Sequence, residues 1–502
     1  MALEPIYETI NLNCKRCELK EQIKVECGAV ATEEVSRVLS VSAWASVNEN
    51  EVNDGQISYS GKATFFISYL SNDGQIKKTE CGSEFRGTIK DERVTADAKV
   101  YTTAVIEKAE TDNSGLKLGV KAFVTVCAKV SACAPYQALS GGDNLILNAG
   151  EMPIVRTYTA KRTVYPIEES YELTYAVEEI LSHGARAVIT AVQCGVGCII
   201  VDGEVLTSAI ALQKSSQNDI IKENKSFAFR AELECQEAMP SMTATATVNE
   251  RSFKTDVAVD EENGKSTVTV SVSLVLEGEA ISEESLSVAT DAFSVQREVE
   301  VVKTELPYYK ACDQRSLTSA VAGRVTVSEL PPSAIIMAVG CEKAEILSTT
   351  CEQEKTVITG VLLAVAYIKD GDGHVFTVNL ETPFESEFDC AFGCDTEITA
   401  DIKAVKGKAK IITLTELELE SEIIITLYPA KRHSVRLVSE IKEGKDKCAC
   451  NSGISVYIAQ DGEERWDLAK RINVCPSEIE RINPDLQFPL TGKERIIIYR
   501  QK

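Results

Sequence analysis

The chain has 502 residues, 53 basic and 76 acidic, for a formal net charge of −23, which argues against wrapping nucleic acid or lying on anionic lipid. Its apolar fraction of 44% is ordinary for globular protein, enough to bury real cores in an expected three to five domains, at about 150 residues each. No apolar stretch reaches the roughly 18 residues a membrane span needs, and Met1-Ala2-Leu3-Glu4-Pro5 lacks the basic region and apolar run of a signal peptide.

Val, Ile, Thr, Ser and Ala are abundant and aromatics few, a composition that leans toward sheet. An internal repeat organises the first 430 residues. Ile57 to Tyr69, centred on Gly61, has counterparts in Ile199 to Leu206 around Gly203 and in Thr356 to Tyr367 around Gly360. In each copy a strand precedes the glycine, a longer one follows, and a turn comes next. These turns are Asn72-Asp73-Gly74, Gln217-Asn218-Asp219 and Asp370-Gly371-Asp372-Gly373, which read as hairpins. An acidic-aromatic segment follows, at Glu84-Phe85, Phe227-Ala228-Phe229 and Phe384 to Phe388.

Each copy ends in a long alternating strand: Val120 to Val126 with Phe123 out of step, Val268 to Leu274, and Ile412 to Leu419. Period two means one buried face and one wet face. The expected fold is therefore mainly β, with three tandem antiparallel β domains at 1–135, 136–283 and 284–430, each with its own core. Linkers are expected at Ser140 to Asp143, Glu277 to Glu284, and Lys431 to Ser452. The last is read as a charged flexible tether covering 431–451.

From 452 to 502 the chain changes character, with a strand, a turn, two short helices and a closing strand. Ile454, Val456 and Ile458 alternate as in a half-buried strand. Trp466, Ala469, Lys470 and Asn473 share a helical stripe of which only the first two are apolar, so Leu468 and Ile472 must also face inward. Pro476 and Ser477 open the second helix, and Asn483-Pro484 ends it.

Chemistry-bearing motifs are sparse. The histidines, His183, His374 and His433, each stand alone at a turn or linker, whereas a general base needs a partner within hydrogen-bond reach. No nucleophile elbow, phosphate loop or zinc-protease helix occurs, so an enzyme is the least expected class. Asp370 to Gly373 resembles half a calcium loop but lacks the distal Glu, and a hairpin turn is the better account. Glu33-Glu34 and Glu178-Glu179 read as helix-start or solvated-face charges. Seventeen cysteines without a secretion signal read as reduced thiols of a cytosol. The terminal pairs Cys14/Cys17 and Cys448/Cys450 match no zinc-finger spacing, so neither metal nor cofactor is expected. Cys194/Cys198 and Cys390/Cys394 read as small buried hydrophobes.

The Trp466-x-Leu468-Ala469 and Asn483-Pro484-x-Leu486 landmarks, in that order of elements, resemble a LysM module, a class that holds N-acetylglucosamine-rich glycans. The resemblance implies a groove between the loop Asp461, Gly462, Glu463, Glu464, Arg465 and the loop Asn483, Pro484, Asp485, Leu486, Gln487. Where the usual pattern is Gly-Asp-Thr-Leu-Trp, this chain has Glu464 and Arg465 before Trp466, bulky charges that would obstruct an apolar sugar face. The acidic β repeats, charged run and terminal LysM together resemble the SPOCS-domain spore coat morphogenetic proteins of endospore-forming bacteria, of the SipL-like type. That resemblance implies a protein of the mother-cell cytoplasm at the forespore surface, in the spore coat. There its LysM would bind the coat-scaffolding ATPase, stage IV sporulation protein A, and other coat proteins could join it. Glycan binding to peptidoglycan of the cortex or cell wall is the alternative.

Overall fold

The computed structural model describes residues 3 to 500, except 215–218, 352–354, 390–391, 393–394 and 448–452. Residues Gln217, Asn218, Cys390, Cys394, Cys448 and Cys450, and the side chain of Cys14, thus lie outside what is described. The fold is mainly β and its sheets are antiparallel.

The first six strands are β1 (Glu4–Val30), β2 (Val35–Asn53), β3 (Gln56–Ser71), β4 (Ile76–Lys90), β5 (Lys99–Ser114) and β6 (Lys117–Asp143). They form two facing sheets, ordered β1-β6-β5 and β2-β3-β4. Next come β7 (Ile146–Thr159), β8 (Thr163–Leu173), β9 (Val177–Cys194), β10 (Cys198–Gln213), β11 (Ile220–Glu234), β12 (Thr243–Asp260) and β13 (Lys265–Phe293). Here β13 pairs with β12, β7 and β8, and the facing sheet runs β11-β10-β9. A third sheet pair uses β14 (Arg297–Ala311), β15 (Arg315–Thr326), β16 (Ile335–Cys351), β17 (Thr356–Lys369), β18 (Val375–Phe388), β19 (Thr396–Thr413) and β20 (Glu416–Asp446). Its sheets are β14, β15 and β19 around β20, and β16-β17-β18.

Alternation explains the three cores. Along β6, Leu118, Val120, Ala122, Val124 and Val126 are all buried while Phe123 points to solvent. The same period buries Val268, Val270, Val272 and Leu274 on β13, and Leu417, Leu419, Ile423 and Ile425 on β20. Each such Val, Leu or Ile contributes about 1.5–3 kcal/mol by leaving water. The expected strand from Ile412 to Leu419 is instead a reversal: β19 ends at Thr413, Leu414 and Thr415 turn, and β20 begins at Glu416. The turn kept the period, so alternation alone could not reveal it.

The three repeat glycines share one environment. Gly61 lies directly across from Phe85, Gly203 from Phe229 and Gly360 from Phe384. On the other side the neighbouring strand has a register shift, and a carbonyl of Ser46, Val188 or Glu345 presses in. A Cβ on these glycines would stand 2.3–2.5 Å from the phenylalanine ring and 2.3–2.5 Å from that carbonyl oxygen. Glycine is required because a ring and a bulged backbone occupy the space of its side chain.

The first two expected linkers are strand throughout and the third is strand as far as Asp446, with 448–452 outside the described residues. Ser140 to Asp143 closes β6, Glu277 to Glu284 lies inside β13, and Lys431 to Asp446 is the outer half of β20. Charged residues in that last run alternate with apolar ones, and Leu437 and Val438 are fully buried; reading the charges alone as a tether missed this. The handovers between sheet pairs fall at 144–145 and 294–296, so residues 135, 283 and 430, the expected boundaries, are all inside continuous strands. The outer halves of β6, β13 and β20 pair with the start of β1, with β7 and with β14. These three ribbons pack into a stem around Ile10, Leu12, Met152, Ile154, Leu306 and Leu437. Leu39, Ile76, Leu181, Ile210, Ala338 and Tyr367 form a further core shared by all three sheet pairs. Cys27 and Cys81 join β1 to β4 as a disulfide, against the expectation of reduced thiols throughout; sheet stacking, not sequence spacing, brings them together. Glu34 precedes β2, and Glu178 and Glu179 lie in β9, so neither acidic pair starts a helix.

Candidate functional site

The C-terminal module comprises β21 (Gly453–Ile458), α1 (Arg465–Ile472), α2 (Pro476–Ile482) and β22 (Arg495–Arg500). Neither helix has a side-chain N-cap. α1 carries Asp467 in its first turn and Lys470 and Arg471 in its last, which suits the helix dipole, and ends on Asn473 in the left-handed conformation. Pro476 opens α2. Leu468 and Ile472 face inward as expected and pack with Ala469, Val474, Ile479, Leu490, Ile496 and Ile498.

The ten loop residues expected to face a ligand divide into surface groups and structural groups. Asp461, Gly462, Glu464, Pro484, Asp485 and Gln487 are exposed, and exposed Arg465 reaches across to Glu480 on α2 at 2.5 Å. Glu463 is only 8% exposed: its carboxylate accepts from Arg471 Nε at 2.9 Å and from the backbone N–H of Gln460 at 3.1 Å. It holds the loop and presents nothing outward, which corrects its expected role. Asn483 donates from Nδ2 to the carbonyls of Ile479 (3.0 Å) and Ile497 (2.9 Å) and accepts the Ile497 N–H at 2.8 Å. It thereby pins α2 to β22. Leu486 is half-buried against the module core.

The two-stranded sheet is oriented opposite to expectation. Ile454, Val456 and Ile458 are 69%, 62% and 67% exposed, and their cross-strand neighbours Tyr499 and Ile497 extend the same apolar face. The helices cover only one side of this sheet, and Ile496 and Ile498 of β22 fill it. Alternation identifies two faces but not which one is covered.

The mixed stripe on α1 is a docking face. Trp466 sits edge-on to Phe293 at 5.2 Å, and its indole N–H donates to Asp291 Oδ2 at 2.9 Å. Lys470 Nζ donates to both Asp291 carboxylate oxygens, at 2.9 and 2.7 Å, and Lys303 adds a longer contact at 3.5 Å. Asn473 Nδ2 donates to the Val295 carbonyl at 2.8 Å, while Lys447 Nζ donates to Asn473 Oδ1 at 2.6 Å. Burial alone would raise the Asp291 carboxyl, but the bonds from Lys470 and Trp466 hold it below the ordinary aspartate value. The module is thus seated on the end of the stem. Sequence reasoning found the stripe but not Asp291, Phe293 or Val295, for which nothing local gave a signal.

Elsewhere, Asp370, Asp372 and His374 gather at the β17–β18 turn. The Asp370 carboxylate already accepts the backbone N–H groups of Asp372 and His374, both at 2.9 Å, as a hairpin turn requires. His433 stacks on Tyr308, and His183 lies between Phe66 and Phe253. Among the described residues, no helix is long and apolar enough to cross a membrane.

Residues 34–113, which span β2 to β5, match the family model described as SipL, SPOCS domain. The match supports the SPOCS reading of this stretch, and with it an association with the spore coat. No curated protein and no solved structure matches the chain.

Proposed function

We propose that the protein is a non-enzymatic adaptor of endospore coat assembly, acting in the mother cell at the forespore surface. In this reading its three sheet pairs are tandem SPOCS-like domains and its C-terminal βααβ module is a LysM that contacts the coat-scaffolding ATPase, stage IV sporulation protein A. The observation that carries the reading is the SPOCS match over residues 34–113. A protein partner, in preference to a sugar, suits the open apolar face of Ile454, Val456, Ile458, Ile497 and Tyr499, since a contiguous exposed apolar patch marks an association surface. Glu464 and Arg465 at the first loop also disfavour an apolar sugar face. Repeated domains on one chain add avidity if each makes a weak contact.

The test is pull-down of the scaffold ATPase by the full chain and by Val456→Asp, with sedimentation on purified peptidoglycan in parallel. Val456 is exposed, so the substitution should leave the fold intact. Burying its carboxylate in an apolar contact should weaken ATPase binding by about tenfold or more, about 1.4 kcal/mol per decade. Retention on peptidoglycan with no ATPase binding would replace the adaptor by the glycan-binding alternative.

A further inference from the structure

Two neighbouring cavities lie where the sheet pairs meet, and their charge differs sharply. The larger, about 880 Å³, is lined by eight basic and eight acidic side chains. Its charges are matched: Lys129 with Asp401 at 2.8 Å, Lys403 with Glu250 at 3.1 Å, Arg162 with Glu277 at 3.2 Å, and Lys343 with Glu345. These pairs neutralise half of its cations from within, and two others, Arg186 and Arg251, also line the smaller cavity.

The smaller, about 670 Å³, is lined by seven basic and only two acidic side chains, Glu80 and Glu342, in a chain whose net charge is −23. Glu342 is already taken by Lys222 and by the Gly407 N–H at 2.9 Å. Lys254 and Lys406 have carboxylates outside the cavity, and Lys225 lies over the Tyr171 ring at 5.2 Å. Lys62, Lys78, Arg186 and Arg251, from β3, β4, β9 and β12, make no ion pair among the described residues, with Glu179 a longer-range carboxylate influence on Lys78. His183 also lines the cavity, edge-on to Phe66 at 4.5 Å and to Phe253 at 4.7 Å. Both of its ring nitrogens are buried without a hydrogen-bond partner among the described residues, a costly state for a polar group. Four cations without an ion pair among the described residues, drawn from two sheet pairs, line one cavity that holds only two acidic side chains.

We propose that this cavity binds a small, multiply charged anion, an oligophosphate or a polycarboxylate, held by Lys62, Lys78, Arg186 and Arg251. The volume suits a small molecule, since such sites commonly span about 300–1,000 Å³. Nucleic acid fits less well, because the acidic surface beyond the cavity would repel an extended polyanion.

The test is calorimetric titration of the full chain with sodium tripolyphosphate and, separately, citrate, at low and at physiological ionic strength. Lys62→Glu/Arg251→Glu is the test variant and Lys24→Glu/Lys121→Glu, on β1 and β6 and outside both cavity linings, the charge-matched control. Lys62 and Arg251 are exposed, and an unchanged circular dichroism melt verifies folding. The expected result is saturable binding at one site per chain, weakened by added salt, at least about tenfold weaker in the double variant and nearly unchanged in the control. Binding of tripolyphosphate alone identifies an oligophosphate site, and of citrate alone a polycarboxylate site; either supports the proposal. No saturable binding of either anion, or equal loss in the control and the double variant, overturns it.

Discussion

Replacing Gly203 by Ala tests the account of the repeat most directly. The new methyl would stand 2.5 Å from Phe229 Cζ and 2.5 Å from the Val188 carbonyl oxygen, where ordinary contacts begin near 3.4 Å. The ring is 7% exposed and confined by the second sheet pair's core, and the carbonyl belongs to a paired strand, so neither can retreat by about 1 Å without disturbing its own contacts. Overpacking of this kind costs about 1–3 kcal/mol, and a double overlap belongs at about 3. For a cooperative unit of some 150–250 residues, each kcal/mol lowers the melting midpoint by about 2–4 °C, so the expected fall is about 6–12 °C. Differential scanning calorimetry measures it, with Gly28→Ala as the control. At Gly28 the nearest atom to a new Cβ is 3.8 Å away, and alanine should be neutral or stabilise by up to about 1 kcal/mol through the unfolded chain. Equal melting of Gly203→Ala and the parent would refute the steric argument, and with it the reason given for all three glycines.

Other consequences follow from the contacts between elements. Asp291→Ala should strand Lys470 and the Trp466 indole and loosen the module from the stem by about 1–3 kcal/mol, seen as faster tryptic cleavage beyond Lys447. Because the Asp291 carboxyl is held below its ordinary value of 3.8, its contribution is complete above that pH and is lost as pH falls through the lower folded value; Trp466 emission followed from pH 5 to 2 should report release only in that acid range. Burial, with Lys78 nearby, lowers His183 from 6.5 to about 4, so the folded state takes up its proton later than the unfolded one. Stability should then decline as pH drops from 6.5 to 4, by about 3 kcal/mol at most, and His183→Leu should flatten that slope in urea titrations. Lys222 and Glu342, 9% and 7% exposed, pair between β11 and β16. Lys222→Met alone should cost about 3–5 kcal/mol, and Lys222→Met/Glu342→Leu much less; a double variant as unstable as the single one would show that the pair itself, not the orphaned charge, matters.

The repeat was legible because its signals are local. Gly61, Gly203 and Gly360 and the phenylalanines after them stand out in the chain, and the structure joins each glycine to its phenylalanine across one pair of strands. The stem was not legible, since pairing of β14 with the outer half of β20 joins residues more than a hundred positions apart, and local reading sees only charged runs there. Alternation predicted β21 but gave Ile454, Val456 and Ile458 the wrong side, because the side is decided by which neighbouring strand the helices cover. Of the loop residues, Glu463 and Asn483 looked like surface polar groups. Only the positions of Arg471 and Ile497 show that they brace the module.

The continuity of β6, β13 and β20 bears on how the protein is made. Synthesis runs from the N-terminus, so the start of β1 leaves the ribosome long before its partners in the stem, and the last ribbon cannot close until residue 446 has emerged. Until then Leu12, Ile154 and Val288 face water on an unfinished bundle, a state prone to aggregate. Nascent chains of this protein therefore pass through a long interval of exposure that ends only once Asp446 has emerged. A fragment cut at 135, 283 or 430 would be frozen in that interval, so dissection of the protein should follow its stem and not its repeats.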